Sequence, residues 1–127
     1  MDGDVARIQM DFMFVGAEGT FVDEPRAKAT VLVTCKDDGN LSATEVRSKT
    51  DEYAMEMVLR FLSPYESVEI KTDGEPSIVE IARRVQARRD KTTTLAQTSV
   101  GGHQEIGAVE RANGTVQAQL RAYYLDV

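Results

Sequence analysis

Apolar residues run almost unbroken through Ile8-Gln9-Met10-Asp11-Phe12-Met13-Phe14-Val15. A run from Arg7 to Val15 that is apolar on both faces predicts a central strand of a sheet. The Gly-rich, acidic stretch Gly16 to Lys28 is expected to be an exposed loop. Ala29 to Cys35 is again nearly continuous and β-branched. Lys36-Asp37-Asp38-Gly39-Asn40 is a turn signal, after which Leu41 to Val46 can pair back as a hairpin. Three consecutive antiparallel strands are expected.

The period then changes. Ala54, Met57, Val58, Phe61 and Leu62 fall at i, i+3, i+4, i+7 and i+8, one stripe of an amphipathic helix. Thr50, Asp51 and Glu52 supply its cap and first-turn negative charge, and Ser63-Pro64 ends it. Ser67 to Thr72 reads as a fourth, short strand. Pro76 suits the first turn of a second helix with Ile78, Ile81, Ala82 and Val85 inside and Arg83, Arg84, Arg88 and Arg89 outside. Thr92 to Thr98 reads as a fifth strand. A last helix is expected from about Gln104 to near Tyr124, with Val109, Ala112, Val116, Leu120 and Tyr123 buried. The order is β-β-β-α-β-α-β-α, and no linker or repeat divides residues 1–127. One α/β domain is the reading.

Charge narrows the function. A net charge of −6 argues against strong DNA binding by this chain alone, because nonspecific affinity comes mainly from Lys and Arg neutralising phosphates. The one basic cluster is Arg83, Arg84, Arg88, Arg89 and Lys91. It reads either as a contact for DNA backbone or a partner subunit, or as a solvated helix face. The apolar stretches are too short to span a bilayer, and the acidic start Met1-Asp2-Gly3-Asp4 lacks the basic region of a signal peptide. Cys35, the single cysteine, permits no internal disulfide and suits an intracellular, reducing compartment; it is expected in the core.

Three acids stand in three different settings. Asp11 lies inside the first apolar strand, Asp73 follows the fourth strand and precedes Gly74, and Glu110 lies on the polar side of the last helix. Such acids can converge on two divalent cations, and a site of that kind cuts and joins phosphodiesters. Hard oxygen ligands suit Mg²⁺ or Mn²⁺. Taken singly, Glu110 also reads as a surface helix residue and Asp73-Gly74 as an ordinary turn pair. Asp11 resists a neutral account, since a charge in an apolar strand is costly without a partner.

The segment Gly102-His103-Gln104-Glu105-Ile106-Gly107-Ala108-Val109-Glu110-Arg111-Ala112-Asn113-Gly114-Thr115 resembles the Gly-Val-x-Glu-Arg-x-Asn segment of retrotransposon integrases, the copia-like ones in particular. Ile70-Lys71-Thr72-Asp73-Gly74-Glu75 resembles their strand-end Asp segment, and Gln9-Met10-Asp11-Phe12 their first-strand Asp. Asp73 follows Asp11 by 62 positions and Glu110 follows Asp73 by 37, close to the D,D-35-E signature. The resemblance implies an RNase H-like fold, a five-stranded mixed sheet of order 3-2-1-4-5 flanked by helices. It implies DNA integration by metal-dependent polynucleotidyl transfer, in which water or a DNA 3′-hydroxyl attacks a phosphodiester in line. Asp11, Asp73 and Glu110 are then the catalytic and metal-holding residues of a two-metal Mg²⁺ or Mn²⁺ site. Arg111, Asn113 and Arg121 are the nucleic-acid contacts. The implied partners are DNA ends and target DNA, with homo-oligomerisation in the full-length context, no membrane, and action in the nucleus.

The chain departs from that pattern in places. Gly114 stands where copia-like relatives commonly carry a basic residue. One His and one Cys cannot build a zinc module. The sequence stops after the Glu-bearing helix, so it is expected to be a core excerpt of a larger polyprotein or a decayed copy. The alternative function is therefore a catalytically silent remnant serving as an interaction or structural module. A ribonuclease H would draw its acids from a different constellation.

Overall fold

A computed structural model describes residues 5–17, 22, 27–47, 52–97, 111, 114 and 115. Its strands are β1 (Ala6–Val15), β2 (Ala29–Lys36), β3 (Leu41–Val46), β4 (Ser67–Thr72) and β5 (Thr92–Gln97). The helices are α1 (Glu52–Leu62) and α2 (Pro76–Arg88). The strands form one five-stranded sheet of order β3-β2-β1-β4-β5, with β1 central as its two-sided apolar pattern predicts. β1–β2 and β2–β3 are antiparallel, whereas β1–β4 and β4–β5 are parallel. The mixed sheet and its order are those of the expected RNase H-like fold.

Alternation along β1 separates two cores. Ala6, Ile8, Met10 and Phe12 face one side, where they join Leu32, Val68 and Ile70 beneath α1 and α2. Met13 and Val15 face the other, with Val33 and Cys35. Helix α2 buries Ile78, Ile81, Ala82 and Val85, the four positions its period predicts, with Pro76 in the first turn. Helix α1 buries Ala54, Val58 and Leu62 of the expected stripe and adds Met55, leaving Met57 and Phe61 half-buried. It packs against both β3 and α2, which turns its inward arc towards Met55. The turn between β2 and β3 closes as expected: Gly39 takes φ +97°, Asn40 N–H donates to Asp38 Oδ1 at 3.0 Å, and Lys36 N–H donates to the Asn40 carbonyl at 2.8 Å. Among the described residues no helix is long and apolar enough to cross a membrane.

Cys35 is 1% exposed, as its β-branched surroundings predict. Burial pushes its thiol up to about 11 from 9.0, against smaller opposing effects of Arg111 and the Gln9 backbone. The unfolded chain therefore gives up this proton first as pH rises. Cys35 contributes its full stability below about pH 9 and loses that contribution as pH climbs to about 11. Cys35→Ala should flatten this part of the decline of the urea midpoint with pH, and an unchanged decline would place the titration elsewhere.

Candidate functional site

The two strand acids are related through register. β1 and β4 pair in parallel with Arg7 opposite Glu69 and Gln9 opposite Lys71. The paired stretch ends at Gln9 and Lys71, and Asp11 and Asp73 each follow by two positions, so the register carried past the end of β4 would bring the two acids level. Asp11 lies on the second face of the sheet with Gln9, and Asp73 follows the end of β4 two positions after Lys71, which is on that face. β4 ends at Thr72 while β1 runs on to Val15, so the acids sit where a parallel strand stops beside a longer neighbour. Ligands of α/β sheets collect at such strand ends.

Each carboxylate is held by its own chain. Asp11 is half-buried, and its Oδ1 accepts the Phe12 backbone N–H at 2.8 Å. Asp73 is exposed, and its Oδ1 accepts the Glu75 N–H at 3.0 Å, two residues on. That bond folds the chain into α2, whose first turn lies directly beyond and whose dipole favours a negative charge here. Glu75 stands at the head of α2 and takes a 2.6 Å bond from Ser77 Oγ on its Oε1. Gly74 bends the connection with φ +88°, and Gly74 N–H donates to Thr72 Oγ1 at 3.3 Å. A Cβ on Gly74 would lie 3.3 Å from Gln97 Oε1, the flexible end of a side chain that can give way. Backbone strain therefore outweighs crowding, and Gly74→Ala should cost about 1–2 kcal/mol. The double variant with Gln97→Ala should recover only a few tenths of that; full recovery in urea denaturation would make the contact, not the dihedral, the cause.

The remaining predicted site residues fall differently. Glu110, Asn113 and Arg121 lie outside the described residues. Arg111 is helical and exposed, and Thr115 Oγ1 donates to its carbonyl at 3.2 Å, a bond of one helical turn. Together with Thr115, Cys35, Leu41 and the β2–β3 turn, Arg111 lines a cavity of about 260 Å³. Its described surroundings are thus on the β2 side of the second face. Among the described residues no group of three His, Cys, Asp or Glu side chains could hold a metal. Asp11 and Asp73 are the two predicted acids among the described residues. Lys71 is the residue that sequence reasoning misses, although its place two residues before Asp73 in an alternating strand puts it on the acids' face.

The basic cluster is not one surface. Arg84 Nη2 meets Glu52 Oε1 at 2.9 Å and Arg88 Nη1 meets Glu52 Oε2 at 2.7 Å, tying α2 to α1 and holding the Glu52 carboxyl below its usual range. Arg89 turns inward to backbone carbonyls at the end of α1. Lys91 donates to the Ser63 carbonyl at 3.3 Å and stands 3.7 Å from Glu66. Arg83 is an exposed helix residue, as the solvated-face reading has it, whereas the other four cations join elements of the fold.

No protein-family model matches the sequence, and no curated protein matches it. Solved structures do match in fold. The catalytic core domain of BIV integrase aligns over 95% of this chain and 72% of its own, with a TM-score of 0.66 at 20% identity. A chain of the simian T-cell lymphotropic virus intasome, solved in complex with the PP2A regulatory subunit B56 gamma, aligns over 94% of this chain and 41% of its own, with a TM-score of 0.69 at 19% identity. The five-stranded mixed sheet of this chain, with its 3-2-1-4-5 order, has the RNase H-like fold of the integrase catalytic core.

Proposed function

We propose that this chain is an integrase catalytic core of the retrotransposon type, acting in DNA integration by metal-dependent polynucleotidyl transfer on DNA ends. The observation that carries the reading is the parallel pairing of β1 with β4 as far as Gln9 and Lys71, two positions before Asp11 and Asp73. The likeness in fold to the integrase cores supports it, as do the sequence elements around Asp11, Asp73 and Glu110. Two adjacent hard-oxygen donors, one half-buried, fit Mg²⁺ or Mn²⁺. Asp11 and Asp73 would hold the ions, with Glu110 completing the second position. Ions bound there stabilise charge on phosphoryl oxygens and make an oxygen nucleophile available at neutral pH.

The protein's own part is to hold and aim the carboxylates. The Phe12 amide fixes one carboxylate and the Glu75 amide fixes the other. Arg111, Asn113 and Arg121 would contact the nucleic acid. DNA ends and target DNA are the partners, gripped weakly by this acidic chain alone, with assembly into oligomers and action in the nucleus as further parts of the reading. The second reading, a catalytically silent interaction module, is favoured by one observation: Arg84, Arg88, Arg89 and Lys91 are engaged within the fold.

Calorimetric titration of Mn²⁺ into the parent and into Asp73→Asn separates the two. Binding in the parent that vanishes in the variant supports the integrase reading. Equal behaviour of the two proteins would remove Asp73 from the site. In the absence of metal, Asp11→Asn should raise the melting temperature slightly by relieving carboxylate repulsion, and a clear drop would mean that its charge serves the fold.

A further inference from the structure

The second face of the sheet has two halves of different chemistry. On the β1–β2 side Met13, Val15, Val33 and Cys35 form a buried apolar cluster. On the β4–β5 side the same face carries Glu69, Lys71, Thr92 and Thr94, all half-buried or exposed. Lys71 stands at the boundary, opposite Gln9 in β1 and two residues before Asp73. It emerges on the face of Asp11, one row before it. The strand spacing and rise put its Cα ~8 Å diagonally from that of Asp11, within reach of a lysine side chain.

The other engaged lysines have acids of their own. Lys36 meets Asp38 at 2.9 Å and Lys91 meets Glu66 at 3.7 Å. Among the described residues no carboxylate stands within ion-pair distance of Lys71. Lys71 is a half-buried residue, and with no carboxylate partner among the described residues its ammonium keeps its donors for an anion that arrives. With Asp11 and Asp73 engaged by cations, the ammonium of Lys71 would be left for another anion, and a backbone phosphate of bound DNA would supply one.

We propose that Lys71 holds a phosphate oxygen of the nucleic-acid strand beside the scissile position, as a positioning residue for the reaction. This rests on the reading of Asp11 and Asp73 as the metal-holding pair. It gives the acidic chain a cation at the site itself, where the α2 cluster supplies none.

The test uses the full chain, Lys71→Met and Lys71→Arg, with Mn²⁺ calorimetry on each. Binding of a short fluorescein-labelled DNA duplex is then followed by anisotropy over a KCl series in Mn²⁺. Lys71→Met should bind Mn²⁺ at least as tightly as the parent, because a like charge has gone. It should lose about tenfold in DNA affinity, and the slope of log affinity against log salt should fall by about one. Lys71→Arg should restore most of both. Parent-like DNA affinity and slope in Lys71→Met, with Mn²⁺ binding intact, would overturn the proposal and leave the metal site standing. Loss of Mn²⁺ binding in Lys71→Met would also overturn it, since the lysine would then serve the acids. If the parent itself binds no Mn²⁺ through Asp73, the reading of the site falls and the proposal falls with it.

Discussion

Asp73→Asn is expected to lower Mn²⁺-dependent cleavage or joining of DNA ends by on the order of a thousandfold or more. That size follows from what a carboxylate does in such a site. It would hold a metal ion, whose polarisation of a phosphoryl oxygen contributes several kcal/mol of transition-state stabilisation, and each ~1.4 kcal/mol is tenfold in rate. An amide keeps the shape of Asp73 and can still accept the Glu75 N–H, so the fold should be unharmed. Without metal the variant should melt slightly above the parent, because carboxylate repulsion is relieved, while only the parent gains stability as Mn²⁺ is added. Asp11→Asn should match it, as the second acid of the proposed site. Glu110→Gln should weaken the second ion more than the first. Residual activity in Asp73→Asn within tenfold of the parent would sink the assignment.

How much of this is legible in the sequence depends on the range over which each feature is encoded. Strand alternation is local, and β3 and β4 emerge with the boundaries their patterns predict. So does the inward stripe of α2. The rotation of α1 towards Met55 depends on which neighbours it meets, and its own period does not specify them. Asp11 is legible as an anomaly, a charge within an apolar strand. Its relation to Asp73, 62 positions on, is a matter of pairing between strands, which only the parallel register supplies. The arginines are the least legible. Arg84 and Arg88 pair with Glu52 across 32 and 36 positions, so a string of like charges in sequence becomes several separate contacts in space.

Arg89 shows the consequence for stability most clearly. Its Nη1 donates to the Leu62 carbonyl at 3.0 Å, its Nη2 to the Tyr65 carbonyl at 2.8 Å, and its Nε to Thr93 Oγ1 at 2.8 Å. The guanidinium thus joins the end of α1, the start of β5 and the chain leaving α2. It satisfies carbonyls that the last turn of a helix leaves without intrahelical partners. Burial pulls its pKa below the ordinary value, yet a guanidinium stays charged at any physiological pH. Arg89→Ala should therefore cost about 2–4 kcal/mol, through charged hydrogen bonds lost and half-buried carbonyls left unpaired. The Leu62 carbonyl keeps the Tyr65 N–H at 3.0 Å, which holds the loss towards the lower end. Arg89→Lys retains the charge but not the fork that reaches three acceptors, and should recover less than half. Arg83→Ala, on the same helix without such bonds, should change the urea midpoint little. Equal effects of Arg83→Ala and Arg89→Ala would mean that the helix responds to its overall charge. A loss confined to Arg89 would identify a clamp between α1 and β5, at the end of β4 opposite the candidate site.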